Sequence, residues 1–368
     1  MSAKSEIAAL RKKIDQVDKE ILKLLKARTE LAKQIGRAKR SVGLPIRDLE
    51  REKTVLAKVS QEAKLSGLIA EDVKALYKEI IALSRRLEGE ETKVAFLGPQ
   101  GTFAEEAARK FFPSAGTTFI PCTSIVDVFR EVESGEALYG VVPVESSTEG
   151  AVNVTLDQLL SSNLMVCGEI ELQVRHNLII PSTADLKNVE VVVSHPQALA
   201  QCRRYLEEHF PNVETKEVSS TAKAVAMLSK LPNAAAIGTE LAAEIYGMKL
   251  AAKGIQDNPR NYTRFFILSK NDCPKTGQDK TSVIFSVKHV PGALYKALEE
   301  FATRKVNITK IESRPTKQKQ WEYVFFLDFE GHRTDKISQE TLEGLRKKTI
   351  FLKTLGSYPA WSSISGGR

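Results

Sequence analysis

The amino-acid sequence predicts three domains of different fold class: an all-α domain at residues 1–92, an α/β domain of two lobes at residues 93–270, and an α+β domain at residues 280–368. Three patterns indicate this division. Apolar residues recur with a seven-residue period near the N-terminus, short apolar runs alternate with helical stretches in the middle, and the C-terminal part reads as strand, helix, two strands, helix and strand. A chain of 368 residues has room for all three domains.

The composition is that of a globular protein, with 42% hydrophobic and 27% charged residues. Because no apolar run is long enough for a membrane span or a signal peptide, we expect a cytoplasmic protein without a membrane partner. The four cysteines are far apart in sequence, so we expect no metal site, and no motif points to a cofactor. Basic and acidic residues alternate despite the net charge of +8, which favours small acidic ligands over nucleic acid.

The all-α domain begins with one long helix, predicted from Glu6 to Arg40 because no proline interrupts this stretch. Apolar residues occupy two registers of a heptad along it, namely Ile7, Ile14, Ile21 and Ile35 in one and Leu10, Val17, Leu24, Leu31 and Ala38 in the other. At 1.5 Å per residue the helix is roughly 50 Å long, which a domain of this size does not cover by itself. We therefore expect the helix to pair with its copy in a dimer.

Three basic residues lie on or beside this apolar seam. Arg28 occupies a position where the first register otherwise has isoleucine, and a charged group in such a buried seam needs an anion as partner. Arg11 and Lys39 share a neighbouring heptad position. Along one helix Arg11 and Lys39 are about 25 Å and 16 Å from Arg28, but two antiparallel copies that cross near Leu25 bring Arg11 of one chain beside Lys39 of the other. A plain coiled coil, in which Arg28 fixes the register, is the alternative.

Two shorter helices complete the domain. One carries Asp48, Arg51 and Glu52 on one face, and the other carries Ser84 and Glu88 one turn apart. These side chains and the three basic residues of the long helix together resemble the binding residues of the all-helical chorismate mutase family. The matching positions are Arg11, Arg28, Lys39, Asp48, Arg51, Glu52, Ser84 and Glu88. The resemblance implies a helix-exchanged dimer in which arginines clamp the two carboxylates of chorismate. Lys39 and the group at position 88 would donate to the ether oxygen as chorismate rearranges to prephenate.

Position 88 departs from the family pattern, because related bacterial sequences commonly have glutamine where this chain has Glu88. A carboxyl group donates a hydrogen bond only when it is protonated. We therefore expect mutase activity to fall as the pH rises, and we expect Glu88→Gln to flatten that dependence.

The α/β domain carries polar motifs at the ends of its predicted strands, which are Val94–Leu97, Leu138–Val144, Val189–Val193, Val213–Val218, Ala234–Gly238 and Arg264–Leu268. Open α/β sheets bind ligands at such strand ends. The motifs are Gly98-Pro99-Gln100-Gly101-Thr102-Phe103, Val142-Pro143-Val144-Glu145, His195-Pro196-Gln197-Ala198 and Thr263-Arg264-Phe265. The last of them can present a hydroxyl and a guanidinium to a buried ligand.

These motifs resemble prephenate dehydratase over nearly the whole domain. The resemblance implies a cleft between two lobes, in which prephenate loses water and carbon dioxide to give phenylpyruvate. It implies that Thr263 donates a hydrogen bond to the departing hydroxyl and that Arg264 or another cation holds a carboxylate. Glu145, Ser194 and Gln201 are carried over as further binding residues. Ser146 stands where the family usually has asparagine, so an amide donor is missing there.

The C-terminal domain is predicted to have a ferredoxin-like fold, after a linker at residues 271–280. Two of its motifs, Pro291-Gly292-Ala293-Leu294 and Glu312-Ser313-Arg314-Pro315, resemble the ACT domain of the same dehydratases. The resemblance implies a pocket for L-phenylalanine between two chains, formed by Gly292, Ala293, Leu294, Glu312, Ser313, Arg314 and Pro315. A dimerisation module without a ligand is the alternative.

Together the three resemblances are those of the bifunctional chorismate mutase and prephenate dehydratase family. They imply chorismate and prephenate as substrates, L-phenylalanine as feedback inhibitor, and a homodimer or a dimer of dimers. A ligand sensor with a helical arm that dimerises or touches DNA is a second reading, but it requires a basic helix face without interleaved acids. In a third reading one active centre has decayed, which Glu88 or Ser146 would reveal. The choice between prephenate and its transaminated relative arogenate stays open.

Overall fold

The computed structural model of the chain describes residues 3–42, 49–89, 91–315 and 323–361. Its contacts divide it into two compact units, a helical unit of residues 1–92 with 112–118 and an α/β unit of residues 93–111 with 119–368. The segment predicted as a C-terminal domain belongs to the second unit by these contacts. No helix within the described ranges is both long and apolar enough to cross a bilayer.

The helical unit contains the helices α1 (Ala3–Ser41), α2 (Leu49–Leu65) and α3 (Ala70–Glu88). α1 and α2 each pack against α3. The buried residues of α1 are Ala32 and Gly36, so the helix meets α3 through its C-terminal part. The long helix and the third helix are as predicted, whereas the predicted start of the second, near Ile46, lies outside the described residues.

The first two thirds of α1 leave their heptad residues at the surface. The side chains of Ile7, Leu10, Ile14, Val17, Ile21 and Leu24 are between 48% and 69% exposed. Side chains at this spacing form a continuous apolar stripe along one face of a helix. The single chain therefore leaves a long apolar surface uncovered.

The α/β unit begins with a lobe built on the strands β1 (Thr92–Leu97), β2 (Thr117–Cys122), β3 (Tyr139–Ser146), β4 (Gly150–Ala151) and β5 (Met165–Gln173). Its helices are α4 (Phe103–Phe111), α5 (Ile125–Ser134) and α6 (Asn153–Ser161).

The second lobe is formed by the strands β6 (Asn177–Ile180), β7 (Val191–Ser194), β8 (Glu214–Glu217), β9 (Ala234–Gly238) and β10 (Lys249–Ala252). Its helices are α7 (Pro196–Gln201), α8 (Arg203–His209), α9 (Thr221–Met227) and α10 (Glu240–Ile245).

The chain then returns to the first lobe through the strand β11 (Tyr262–Ser269). The first sheet has the order β2-β1-β3-β11-β5, with β4 paired to β3, and the second has the order β10-β6-β9-β7-β8. β11 lies antiparallel between β3 and β5, so the predicted Thr263-Arg264-Phe265 motif is in the interior of the first sheet.

The C-terminal part forms a third sheet from β12 (Asp279–Ser286), β13 (Ile308–Pro315), β14 (Tyr323–Glu330) and β15 (Phe351–Pro359), with the helices α11 (Ala293–Thr303) and α12 (Lys336–Lys348). The strand order β13-β14-β12-β15 and the βαββαβ chain order are those of the predicted ferredoxin-like fold. Phe285 and Phe329 pack with residues of α11 and α12. Ile284 and Tyr358 instead share a core with Phe266 of the first lobe.

β15 lies directly against β5. A Cβ atom on Gly356 would come 2.1 Å from the carbonyl oxygen of Val166, so no other residue fits without moving the backbone. The third sheet is thus covered by its own helices on one face and by the first lobe on the other.

Candidate functional site

A cavity of about 910 Å³ lies between the two lobes of the α/β unit. The turn before α4, the end of β3, the starts of α7 and α9, and β11 form its walls. Its polar side chains are hydroxyls, amides and imidazoles: Gln100, Thr102, Thr123, Ser146, His176, His195, Gln197, Gln201, Ser219, Ser220, Thr221, Tyr246, Asn261 and Thr263. None of the described lining residues carries a carboxylate, an ammonium or a guanidinium group.

Three helices begin at this cavity. The His195 imidazole accepts the Gln197 N–H at 3.3 Å at the start of α7, and the Ser220 hydroxyl accepts the Lys223 N–H at 3.1 Å at the start of α9. The Thr102 hydroxyl, just before α4, donates to the Leu97 carbonyl at 2.8 Å. The cavity wall thus contains the side-chain caps of two helices and the threonine that precedes a third.

Thr263 lines the cavity from the middle of the first sheet. Thr263 and Phe265 are on the cavity face of β11, and the Thr263 hydroxyl has no hydrogen-bond partner among the described residues. Arg264 and Phe266 are on the other face, where the guanidinium carbon lies 4.8 Å from the centre of the Phe266 ring. Successive side chains of a strand alternate between its faces, so this motif cannot present both polar groups to one ligand.

Arg264 and Glu145, both predicted to bind the substrate, instead contact other protein groups in this structure. Arg264 lies 2.6 Å from both Glu169 and Asp328. Glu145 is opposite Arg264 across the β3–β11 pair and on the same face, where its carboxylate lies 2.6 Å from Lys310 Nζ. Neither side chain lines the cavity.

Ser194 is also outside the lining. Its hydroxyl is completely buried and donates to the Ile237 carbonyl at 2.7 Å, which fastens β7 to β9. Ser194, predicted to bind the substrate, thus uses its hydroxyl proton within the sheet.

Gln201 lines the cavity as predicted, and two further residues fix its amide. His176 Nε2 lies 2.9 Å and Asn261 Nδ2 lies 3.0 Å from Gln201 Oε1. An amide oxygen only accepts, so His176 carries its proton on Nε2, and the NH2 group of Gln201 is left to donate to another group. Burial lowers the pKa of His176, which the hydrogen bond to Gln201 opposes, so the imidazole is neutral near pH 7.

Cys122 contributes a thiol to the cavity wall. Burial raises its pKa to about 11, and the neighbouring carboxylates of Glu131 and Asp127 add to this shift. The group therefore stays a thiol at neutral pH, which argues against covalent catalysis by a thiolate in this cleft.

The helical unit brings Arg28 and Ser84 together between α1 and α3. The Arg28 guanidinium donates to the Ser84 hydroxyl and, at 3.2 Å, to the Ile80 carbonyl. Within one chain, two neutral oxygens thus accept hydrogen bonds from Arg28. Glu88 is one turn beyond Ser84 and only 8% exposed, and its carbonyl accepts a hydrogen bond from Arg40.

The other predicted residues of this site are only partly brought together. Glu52 lies 3.5 Å from Arg85 Nη1, while Arg51 is exposed and Lys39 is half-buried. Arg11 is exposed on the part of α1 that extends away from α3. Asp48 lies outside the described residues.

The two C-terminal motifs are in different elements of the third sheet. Gly292, Ala293 and Leu294 form the start of α11, where Gly292 has a φ of +77°, and Glu312, Ser313 and Pro315 belong to β13. Arg314 of β13, predicted to belong to the phenylalanine pocket, contacts α6 of the first lobe. Its guanidinium donates to the Asn153 carbonyl at 2.7 Å and lies 3.1 Å from Asp157 of α6.

Sequence reasoning misses three residues of these sites. His176 and Asn261 orient Gln201, and Arg85 is a half-buried cation whose Nε and Nη1 have no hydrogen-bond partner in the described part of the chain. Asn261 is two residues before Thr263, and this nearness to the motif is a signal that could have found it. His176 follows an unpredicted strand, and Arg85 looks like an ordinary surface residue of an amphipathic helix.

Three protein-family profiles match the chain in succession. They are described as chorismate mutase type II, which matches residues 10–89, prephenate dehydratase, which matches residues 94–273, and ACT domain, which matches residues 281–346.

Similar proteins align with nearly the whole chain or with about three quarters of it. A bifunctional chorismate mutase/prephenate dehydratase from Aquifex aeolicus is 46% identical over 96% of this chain and 98% of its own length, and one from Pseudomonas aeruginosa is 41% identical over 98% and 99%. The crystal structure of a prephenate dehydratase from Arthrobacter aurescens in complex with L-Phe matches with a TM-score of 0.68. It is 36% identical and covers 74% of this chain and 91% of that one.

Proposed function

The chain belongs to the family of bifunctional chorismate mutases/prephenate dehydratases, and from this premise we propose how its parts carry two reactions and their control. The enzyme rearranges chorismate to prephenate, converts prephenate to phenylpyruvate, and is inhibited by L-phenylalanine through its C-terminal domain. We assign the mutase to residues 1–92, the dehydratase to residues 93–270 and the control to residues 280–368. The order of the three matched families supports this assignment.

Dehydration takes place in the cavity between the lobes. The bond from the ring to its carboxylate breaks and releases carbon dioxide, its electrons complete the aromatic ring, and the bond to the ring hydroxyl breaks. The Thr263 hydroxyl donates a hydrogen bond to the departing oxygen, because it lines the cavity without a partner among the described residues. A threonine is too weak an acid to give up its proton, so solvent supplies the proton that completes the water.

The absence of charged side chains from the described lining suits this reaction. A cation beside the ring carboxylate would stabilise the ground state more than the transition state, in which that negative charge moves into the ring. The second carboxylate of prephenate remains charged throughout. The Gln201 amide and the hydroxyl groups of the lining are the donors that can hold it.

The same lining favours prephenate over arogenate. Arogenate carries an ammonium group where prephenate has a ketone, and an ammonium group in a desolvated site needs a carboxylate partner. The described lining residues include no carboxylate, whereas they offer many hydroxyl and amide donors for the ketone oxygen.

The mutase site is completed by a second copy of the chain. Arg28 and Ser84 form one half of the site, and the apolar stripe of α1 is the surface on which the partner helix lies. Antiparallel pairing through this stripe brings Arg11 of the partner to Lys39, which supplies the second set of cations for a dianionic substrate. Two observations support the predicted helix-exchanged dimer: the apolar stripe of α1 is uncovered, and Arg11 lies far from Arg28 along the same helix.

The observation that carries the proposal is that the Thr263 hydroxyl lines a cavity whose described lining residues carry no charged side chain. Chorismate, prephenate and arogenate supplied separately to the purified protein test it. We expect chorismate to be consumed, prephenate to give phenylpyruvate, L-phenylalanine to slow that second reaction, and arogenate to react about tenfold or more slowly than prephenate. Conversion of arogenate at the rate of prephenate would contradict the account of the cleft.

A further inference from the structure

Arg264 joins the strand that carries Thr263 to the C-terminal sheet. Its Nε donates to Glu169 Oε2 at 2.8 Å, its Nη1 to Asp328 Oδ2 at 2.6 Å, and its Nη2 to the Tyr358 hydroxyl at 3.1 Å. Glu169 belongs to β5 of the first lobe, whereas Asp328 and Tyr358 belong to β14 and β15 of the third sheet. One guanidinium thus bonds to two sheets at once.

The groups around Arg264 are removed from solvent. The Arg264 side chain is 11% exposed, that of Asp328 7%, and that of Glu169 not at all. Lys280 Nζ donates to Glu169 Oε1 at 2.8 Å, so two cations face two carboxylates in the buried cluster. Buried charges hold their partners in fixed geometry, because separating them in a site without water is costly.

A second contact reaches the same pair of strands from β13. Lys310 Nζ lies 2.6 Å from Glu145 Oε2, and Glu145 faces Arg264 across the β3–β11 pair. The next residue of β3, Ser146, is opposite Thr263 and lines the cavity. Lys310 is two residues before the Glu312-Ser313-Arg314-Pro315 motif in the same strand.

The C-terminal part also holds α6, which follows β3 and β4 in the chain. Arg314 contacts the start of α6 through the Asn153 carbonyl, and Lys353 Nζ donates to the carbonyls of Leu159 at 2.9 Å and Leu160 at 3.1 Å near its end. Both ends of the helix are therefore fixed by cations of the third sheet. The third sheet is thus linked to α6, which follows β3 and β4, as well as to β11.

We propose that Arg264 is a positioning residue of the dehydration: through Asp328 and Tyr358 it fixes β11, and so the Thr263 hydroxyl, relative to the C-terminal sheet. When L-phenylalanine binds the C-terminal domain and shifts that sheet, Arg264 carries the displacement to Thr263. This inference rests on the proposed function, since it presumes a dehydratase that L-phenylalanine inhibits. It assigns no contact between Arg264 and the substrate.

The test uses the full-length protein with the substitutions Asp328→Asn, Tyr358→Phe and Arg264→Lys. Lys275→Gln is the matched control, because Lys275 of the preceding linker forms an ion pair with Asp335 of the C-terminal domain and is 52% exposed. For each variant the dehydratase kcat and KM, the inhibition by L-phenylalanine, and the thermal unfolding temperature are measured.

We expect Asp328→Asn and Arg264→Lys to lower the dehydratase kcat about tenfold or more while KM for prephenate changes little, because the substrate contacts are intact. We expect both to raise the half-inhibitory concentration of L-phenylalanine about fivefold or more. Tyr358→Phe removes one hydroxyl from the cluster and leaves the ion pairs, so the protein should stay folded. We expect this variant to raise the half-inhibitory concentration of L-phenylalanine as well, but by a smaller factor. Lys275→Gln should behave as the unmodified chain.

Two results would overturn the inference. If Arg264→Lys raises KM for prephenate and Asp328→Asn has no effect, Arg264 contacts the substrate. If the variants lower only the unfolding temperature, with kcat and inhibition unchanged, the cluster has a merely structural role. A failure of the unmodified chain to form phenylpyruvate or to respond to L-phenylalanine would instead contradict the proposed function, so the two are distinguishable.

Discussion

Gly36 of α1 lies directly against Glu88 of α3. A Cβ atom at position 36 would come 2.9 Å from the Cβ and 3.0 Å from the Cα of Glu88. Such distances leave no room for a methyl group, and the Cα cannot move without moving α3. The absence of a side chain at Gly36 therefore sets the distance between the two helices that carry Arg28 and Ser84.

Gly36→Ala is expected to separate α1 from α3 and to destabilise the helical unit by about 1–3 kcal/mol. Mutase activity should fall, because Arg28 and Glu88 move relative to one another, while dehydratase activity on added prephenate should stay unchanged. Chemical unfolding and separate assays with the two substrates measure the effect. A variant with unchanged mutase activity would show that the close approach is not needed for catalysis.

Glu88→Gln is expected to flatten the pH dependence of the mutase. In the unmodified enzyme a carboxyl group can donate to the ether oxygen only while it is protonated, so activity should fall as the pH rises. The amide of glutamine donates at every pH. Rates of chorismate consumption across the pH range of stability measure this, and parallel profiles for the two proteins would contradict the assignment of Glu88.

Mixed dimers test whether Arg11 and Lys39 of one mutase site come from different chains. Arg11→Ala and Lys39→Ala each remove one residue from both sites of a homodimer. In a heterodimer of the two, one site has both substitutions and the other has neither, so unfolding and refolding an equal mixture should restore about a quarter of the unmodified activity. If both residues of a site came from one chain, the mixture would remain inactive.

His176→Gln is expected to remove a pH-dependent part of the stability. Because burial lowers the folded-state pKa of His176 below the ordinary value of 6.5, the unfolded state binds more protons between those two values. The contribution of His176 to the free energy of unfolding is therefore fully present at pH values above 6.5. As the pH falls from 6.5 toward the folded-state pKa, this contribution decreases by about 1.4 kcal/mol per pH unit.

The measurement is the free energy of unfolding of both proteins at several pH values from about 7.5 down to about 5. The difference between the unmodified protein and His176→Gln should shrink as the pH falls. A difference that does not change with pH would mean that His176 has an ordinary pKa in the folded state.

Much of the fold could be predicted from the sequence because periodicity reports the type of an element and which of its faces is apolar. The heptad of α1 and the βαββαβ order of the C-terminal part are examples. The strand β5 is missing from the prediction because Glu169, which is completely buried, interrupts its apolar run. Its carboxylate is satisfied by Arg264 and Lys280, from segments about a hundred residues away, and local sequence does not reveal such a partner.

The sequence motifs predict where the site lies better than they predict which of their residues line it. Thr263 and Gln201 line the cavity, whereas Arg264, Glu145 and Ser194, which come from the same motifs or adjoin them, do not. Alternation along β11 and β3 is readable from the sequence, and it could have separated Thr263 from Arg264. The hydroxyl of Ser194 could not have been placed in this way, because its acceptor belongs to β9.

The most direct test of the central claim is product analysis of Thr263→Ala after addition of chorismate. The unmodified enzyme should convert chorismate to phenylpyruvate. The variant should consume chorismate at the normal rate and accumulate prephenate, because loss of one hydrogen bond to the departing group slows dehydration about a hundredfold or more. Formation of phenylpyruvate by Thr263→Ala at the rate of the unmodified enzyme would contradict the account.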